Sequence, residues 1–202
     1  MVEKHLVLGF LWLLFCVLHS LLAALGLKKK MAVLWGKRFK HYRLFYSLFA
    51  FATLGFVVYY QFTLESPYVY QSSQLSAIAG VLVGSAGLVI MGICIKKYFL
   101  SLSGLKSLFQ ENPTNALMIS GIHRFVRHPL YAGTFMAIWG FFIAVPLFSL
   151  LIANVIITGY TLIGIELEEK KLEAEFGHHY RQYKQNVPKL FPSFRTRLNK
   201  RF

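Results

Sequence analysis

Charged residues divide this chain into long silent stretches. His5 to Leu27 runs for 23 residues without Asp, Glu, Lys or Arg, and Leu44 to Leu64 and Leu75 to Ile95 run for 21 each. Pro129 to Ile165 extends the same silence over 37 residues, with Pro146 near its middle. One helix needs about 20 apolar residues to cross the hydrocarbon core. The first three runs therefore predict one span each, and the fourth predicts a tight hairpin of two short spans turning near Pro146. The expected fold class is all-α: a polytopic integral membrane bundle of about five transmembrane helices, with a carboxyl-terminal cytoplasmic helix. The expected spans are 5–27, 44–64, 75–95, 129–145 and 147–165.

Composition agrees. Only 15% of the 202 residues are charged, against roughly 25% in an ordinary soluble domain. Nineteen Phe and eleven Tyr are hard to hide in a water-soluble core of this size. The same figures exclude disorder, collagen and coiled coil, and two cysteines, Cys16 and Cys94, exclude a disulfide scaffold. The length leaves room for a single domain over 1–202. The first run is too long for a cleaved signal peptide, has only Lys4 against Glu3 before it, and lacks a small-residue cleavage site. It is expected as a retained span.

Charge adds an orientation. The net charge is +14, from 22 basic and 8 acidic residues. Lys28, Lys29, Lys30, Lys37, Arg38, Lys40 and Arg43 follow the first span; Lys96, Lys97, Lys106, Arg124 and Arg127 follow the third; nine more basic residues follow the fifth. With five spans, 21 of the 22 fall on one side and Lys4 alone on the other. The positive-inside rule then places the amino terminus outside and the carboxyl terminus in the cytoplasm. The basic surplus is thereby explained by topology and by anionic headgroups, so the expected partner is the lipid bilayer and not nucleic acid.

Most polar features have a packing explanation. Gly80, Gly84 and Gly87 lie inside an apolar span, where small residues at this spacing let helices approach closely. His19 and Ser20 are expected to hydrogen-bond across helices. Cys16 and Cys94 read as small buried hydrophobes. His5 and His41 have no recognisable partner, His178 and His179 suit a solvated face, and no His or Cys set has metal-ligand spacing.

Two stretches resist that treatment. GIHRFVRHPLYAG, from Gly121 to Gly133, sets His123, Arg124, Arg127 and His128 at the entrance to the fourth span. Pro129 suits the first turn of a helix, and a helix start flanked by Arg and His favours anions. Glu166, Glu168, Glu169, Glu173 and Glu175 then supply five of the eight acids just after the fifth span. Some of this charge is expected as i,i+4 pairs, Glu166–Lys170 and Lys171–Glu175, on an exposed helix. The two stretches end one hairpin, so they should be neighbours. Such a mixed site suits a ligand with a carboxylate, an ammonium and a further cation, and S-adenosylmethionine is one.

At these residues the sequence resembles the isoprenylcysteine carboxyl methyltransferase and phospholipid methyltransferase superfamily. The resemblance rests on Arg127-His128-Pro129, Tyr131 and Gly133, then Glu168-Glu169, then FGHHYRQYKQNVPKLFP, in that order and spacing. It covers Gly121 to Pro192, while the earlier spans resemble the methanethiol methyltransferase, NnrU and nurim branches. It implies S-adenosylmethionine as cofactor, held in a cytoplasmic region over 115–192 and met by a lipophilic acceptor from the membrane. It further implies cofactor contacts from Leu117, Met118, His123, His128, Pro129, Tyr131, Gly133, Glu168 and Glu169, with Glu168 closing the pocket and Glu169 holding the segment. Arg127 and His128 are the candidate catalytic pair, for favouring a thiolate. The prenylcysteine enzymes have an Arg four residues before the Glu matched by Glu168, where this chain has Gly164, so a small uncharged acceptor such as a thiol is expected instead. The rival expectations are an NADPH-dependent membrane reductase of the sterol reductase type and a non-catalytic nurim-like protein.

Overall fold

A computed structural model describes residues 2–102 and 117–192. Lys106, Arg195, Arg197, Lys200, Arg201 and positions 115–116 of the expected cofactor region lie outside the described residues.

Seven α-helices follow in order among the described residues: α1 (Val2–Ala23), α2 (Leu25–Trp35), α3 (Tyr42–Thr63), α4 (Gln74–Leu102), α5 (Pro129–Ala144), α6 (Phe148–Phe176) and α7 (His178–Asn186). Two 3₁₀ turns, Gly36–His41 and Gly121–Arg124, join them, and no strand occurs among the described residues. Four segments are long and apolar enough to cross a membrane: Val2–Ala23, Leu25–Thr63, Gln74–Lys97 and Phe148–Phe176, with the shorter apolar Pro129–Ala144 beside them. The chain is thus a polytopic helical membrane bundle. The 16 residues of α5 reach about 24 Å at 1.5 Å per residue, less than the roughly 30 Å core.

Two helix boundaries differ from the charge pattern. The first span ends at Ala23, because Ala24 is extended (φ −65°, ψ 137°) and Leu25–Leu27 begin α2. The basic stretch after it is therefore partly helical. The helix of the last span continues past Ile165, since α6 carries the Glu-rich stretch onward without a break to Phe176.

The hairpin between α5 and α6 turns at Val145–Leu147, as Pro146 predicts. The loop before α4 buttresses it: Val69 N–H donates to the Pro146 carbonyl at 2.7 Å, and Phe148 N–H to the Pro67 carbonyl at 2.9 Å. Helices α4 and α5 touch backbone to backbone. A Cβ on Gly80 would lie 2.5 Å from the Ala144 nitrogen, one on Gly87 would strike the Ala137 backbone, and one on Gly140 would strike Gly84. The glycines are there for close approach.

The other seam joins α1, α3 and α6. Leu8, Trp12, Val57 and Ala153 form its core, crossed by a Trp12 Nε1–H bond to Gln61 Oε1 at 2.8 Å. His5, expected without a partner, is buried and lies 3.1 Å from Ser66 Oγ. The correction has a plain cause: Ser66 sits 61 residues away, in the loop after α3.

Candidate functional site

Pro129 opens α5 as its first residue, so the missing N–H is harmless there. The two residues before it use their backbone elsewhere. Arg127 N–H donates to the Pro188 carbonyl at 2.9 Å and His128 N–H to the Lys189 carbonyl at 3.0 Å. The segment after α7 is thereby strapped across the mouth of the hairpin. A third tie is the Tyr183 hydroxyl, which donates to the His123 carbonyl at 2.6 Å.

Glu169 stands at the centre. It is 1% exposed. Arg127 donates to its Oε1 from Nε at 3.0 Å and from Nη2 at 2.8 Å. His128 Nε2 is 3.1 Å from the same oxygen, and Lys184 Nζ is 3.2 Å from Oε2. Burial opposes the Glu169 charge, but the hydrogen bonds from Arg127, His128 and Lys184 prevail and lower its carboxyl from 4.5 to about 2. Arg127 Nη1 also donates to the carbonyls of Lys184, at 2.9 Å, and Val187. Four N–H contacts to protein oxygens thus commit the Arg127 guanidinium to holding α7 and the strap against α6.

Glu168, one residue earlier, points the other way and stays half exposed. Its Oε2 accepts from the Tyr131 hydroxyl at 3.1 Å and lies 3.9 Å from His128 Nδ1. His128 and Tyr131 stack with ring centroids 5.7 Å apart. The expected i,i+4 partner of Glu166 is displaced: Glu166 pairs instead with Lys189, because the strap passes beside it.

Between these groups lies a cavity of about 240 Å³. Leu117, Met118, His123, Arg127, His128 and Glu168 line it, all residues singled out from the sequence. Leu172, Phe176, Tyr180 and Tyr183 complete the wall; the last three belong to the FGHHYRQYKQNVPKLFP element, but none of the four was expected as a cofactor contact. Their signal was available: Glu168, Leu172 and Phe176 recur every four residues, on one face of a helix. Burial, with the charges of Lys97 and His128, lowers the His123 imidazole below its usual value, which favours its neutral form. Tyr180 is 1% exposed, and its hydroxyl has no hydrogen-bond partner among the described residues. Burial and then the Glu169 charge push that phenol up, keeping it protonated.

Tyr131, Pro129, Gly133 and Glu169 do not line the cavity. Tyr131 reaches it through Glu168, and Glu169 through Arg127 and His128. Gly133 belongs to the α4–α5 contact: a Cβ there would lie 2.9 Å from the Gly87 oxygen and 3.0 Å from Met91 Cγ. Its small size serves helix packing. Pro129, buried at the α5 start, shapes the turn.

The donor set fits a ligand of mixed character. A carboxylate (Glu168), two imidazoles, an orphaned phenol and an apolar wall suit a molecule bearing cationic, hydrogen-bonding and flat apolar parts. S-adenosylmethionine has all three.

Comparison with known proteins adds relatives that match a little over a third of the chain. The methanethiol S-methyltransferase of Pseudomonas deceptionensis is 43% identical over 76 residues, covering 37% of this chain and 28% of that protein. The methanethiol S-methyltransferase of Mycobacterium tuberculosis is 36% identical over 73 residues, 35% of this chain and 28% of that one. The protein-S-isoprenylcysteine O-methyltransferase of Schizosaccharomyces pombe is 34% identical over 91 residues, 41% and 36% of the two chains. The matches thus span about a third or less of these relatives' own lengths. No solved structure matches. The relatives' names agree with the superfamily that the RHPxYxG and Glu-Glu elements resemble, and over residues 6–187 the chain belongs to the family described as "Protein of unknown function (DUF1295)".

Proposed function

We propose that this protein is an integral membrane methyltransferase that uses S-adenosylmethionine and acts on a small lipophilic acceptor, with a thiol as the first candidate. The observation that carries the reading is the cavity bordered by Glu168 and His128, whose wall is braced by the buried Arg127–Glu169 pair. The bound cofactor would supply an electrophilic methyl group on a sulfonium. Glu168 holds cationic parts of the ligand, His123 and Tyr180 offer hydrogen bonds, and Leu117, Met118, Leu172 and Phe176 enclose apolar ones.

The protein's contribution is alignment and exclusion of water. Orientation of two reactants is worth up to about 7–11 kcal/mol in the best cases, and a dry site strengthens its own electrostatics. No side chain need act as a nucleophile. With Arg127 committed to Glu169, His128 is the residue we assign to favouring the acceptor's thiolate. We further assign the amino terminus to the outside and the cofactor cavity to the cytoplasmic side, from the distribution of Lys and Arg, and one domain to the chain, from its length.

Calorimetric titration of the detergent-solubilised protein with S-adenosylhomocysteine tests the reading, with Glu168→Ala and His128→Ala alongside. Binding by wild type that is lost in both variants supports it. A folded wild type that binds NADPH instead would replace it with the reductase.

A further inference from the structure

A second group of polar side chains lies within the membrane-spanning helices at the same end of the bundle. His19 of α1 meets Tyr46 of α3, whose hydroxyl is 2.8 Å from Nε2 and 3.1 Å from Nδ1. The two ring nitrogens point to different sides of the imidazole, so one hydroxyl makes a well-aligned hydrogen bond to one of them at most. The other nitrogen keeps hydrogen-bonding capacity that Tyr46 does not use. Ser20, the next residue, donates to the Tyr160 hydroxyl on α6 at 3.0 Å. The ring centroids of Tyr46 and Tyr160 lie 5.2 and 6.4 Å from that of His19. Tyr131, bonded to Glu168 at the cavity rim, is within electrostatic range of both tyrosines.

Helix α6 links the two groups. Tyr160, Gly164 and Glu168 stand four residues apart and so share one face. A Cβ on Gly164 would meet nothing within 4 Å. Glycine inside a helix costs about 0.5–1 kcal/mol relative to alanine, and no neighbour here requires it. What it leaves is space on the face that runs from Tyr160 to Glu168. Polar groups at membrane depth are costly and mark sites by default, and His19, Tyr46 and Tyr160 are only half-buried and bond to neutral groups.

We propose that His19, Tyr46, Tyr131 and Tyr160 form a second binding site, open to the bilayer and continuous with the cavity, for an uncharged lipophile carrying one S–H or O–H group. The ligand's polar atom bonds to the imidazole and the phenols, and its apolar body lies along the open face at Gly164. Its identification as the methyl acceptor rests on the methyltransferase reading; its existence as a site does not.

The test uses para-fluorobenzyl mercaptan as probe and the full chain in lipid nanodiscs, with binding read by fluorine NMR. S-adenosylhomocysteine titration and thermal melting are run on the same samples. Saturable thiol binding, weakened about tenfold or more in His19→Leu and Tyr160→Phe at unchanged homocysteine-nucleoside affinity, is the expected result, a tenfold loss being that of one good hydrogen bond. Thiol binding that is unchanged in both variants, or that never saturates, overturns the site. Thiol binding that depends on these residues in a protein that ignores S-adenosylhomocysteine keeps the site and sinks the methyltransferase reading. Should the two variants melt early, Tyr46→Phe, which removes one hydroxyl of the site itself, decides on the same readout: a weakened thiol supports the site, and an unchanged one overturns it.

Discussion

Arg127 and Glu169, 42 residues apart, meet at 2.8 Å with both side chains less than a tenth exposed. The pair ties the start of α5 to α6 and, through the other Arg127 donors, to the carbonyls that end α7. Three helices and the strap thus depend on one contact beside the cavity.

Removing one partner of a buried ion pair leaves the other charge uncompensated, at a cost of about 3–5 kcal/mol. Glu169→Ala and Arg127→Ala should therefore each lower the melting temperature markedly, while Arg127→Met with Glu169→Leu recovers part of the loss. Melting curves in detergent check this; a Glu169→Ala protein that melts with wild type would remove the pair from its structural role.

Acid should undo the same contact. The Glu169 carboxyl is held at about 2 in the folded protein against 4.5 unperturbed. A carboxyl lowered by folding stabilises fully above its unfolded value, and the stabilisation fades as pH falls from about 4.5 towards 2. A shift of this size is on the order of 3 kcal/mol. Across that window wild type should lose melting temperature more steeply than Glu169→Gln, and parallel slopes would refute the assignment.

The α4–α5 contact leaves no room for a methyl group. Gly87→Ala and Gly140→Ala each drive a Cβ into the opposing backbone, and overpacking of this kind costs about 1–3 kcal/mol. Gly55→Ala, with nothing within 4 Å, should be neutral or slightly stabilising. Equal melting temperatures for all three variants would show that the helices are not so closely apposed.

Tyr180 separates ligand effects from folding. An unsatisfied buried hydroxyl costs about 1–3 kcal/mol, so Tyr180→Phe should leave the unliganded protein as stable as wild type or more so. If the cavity's ligand bonds that hydroxyl, the same variant binds S-adenosylhomocysteine more weakly. Calorimetry beside melting reads both, and undiminished affinity would exclude Tyr180 from the ligand's contacts.

The spans, the hairpin turn at Pro146 and the small-residue contact were legible in the residue order, because membrane helices must satisfy their own backbone and declare themselves by length and hydropathy. The meeting of Arg127 and His128 with the Glu-rich stretch was legible too, since one hairpin joins them. Periodicity within a segment is local, and so are its signals. The different parts of Glu168 and Glu169, one closing the pocket and one holding the segment, were implied by the resemblance and not by any local signal. The two residues are adjacent and chemically identical, yet 100° of helical rotation buries one against Arg127 and leaves the other on the cavity rim. Gly133 and Gly164 show the same division. Nothing in a glycine's neighbours along the chain says whether its missing side chain admits a second helix, as at Gly133, or leaves open space, as at Gly164. Only the packing of α4 on α5, and the open face of α6, decide that, because a glycine's role is set by what stands opposite its absent Cβ.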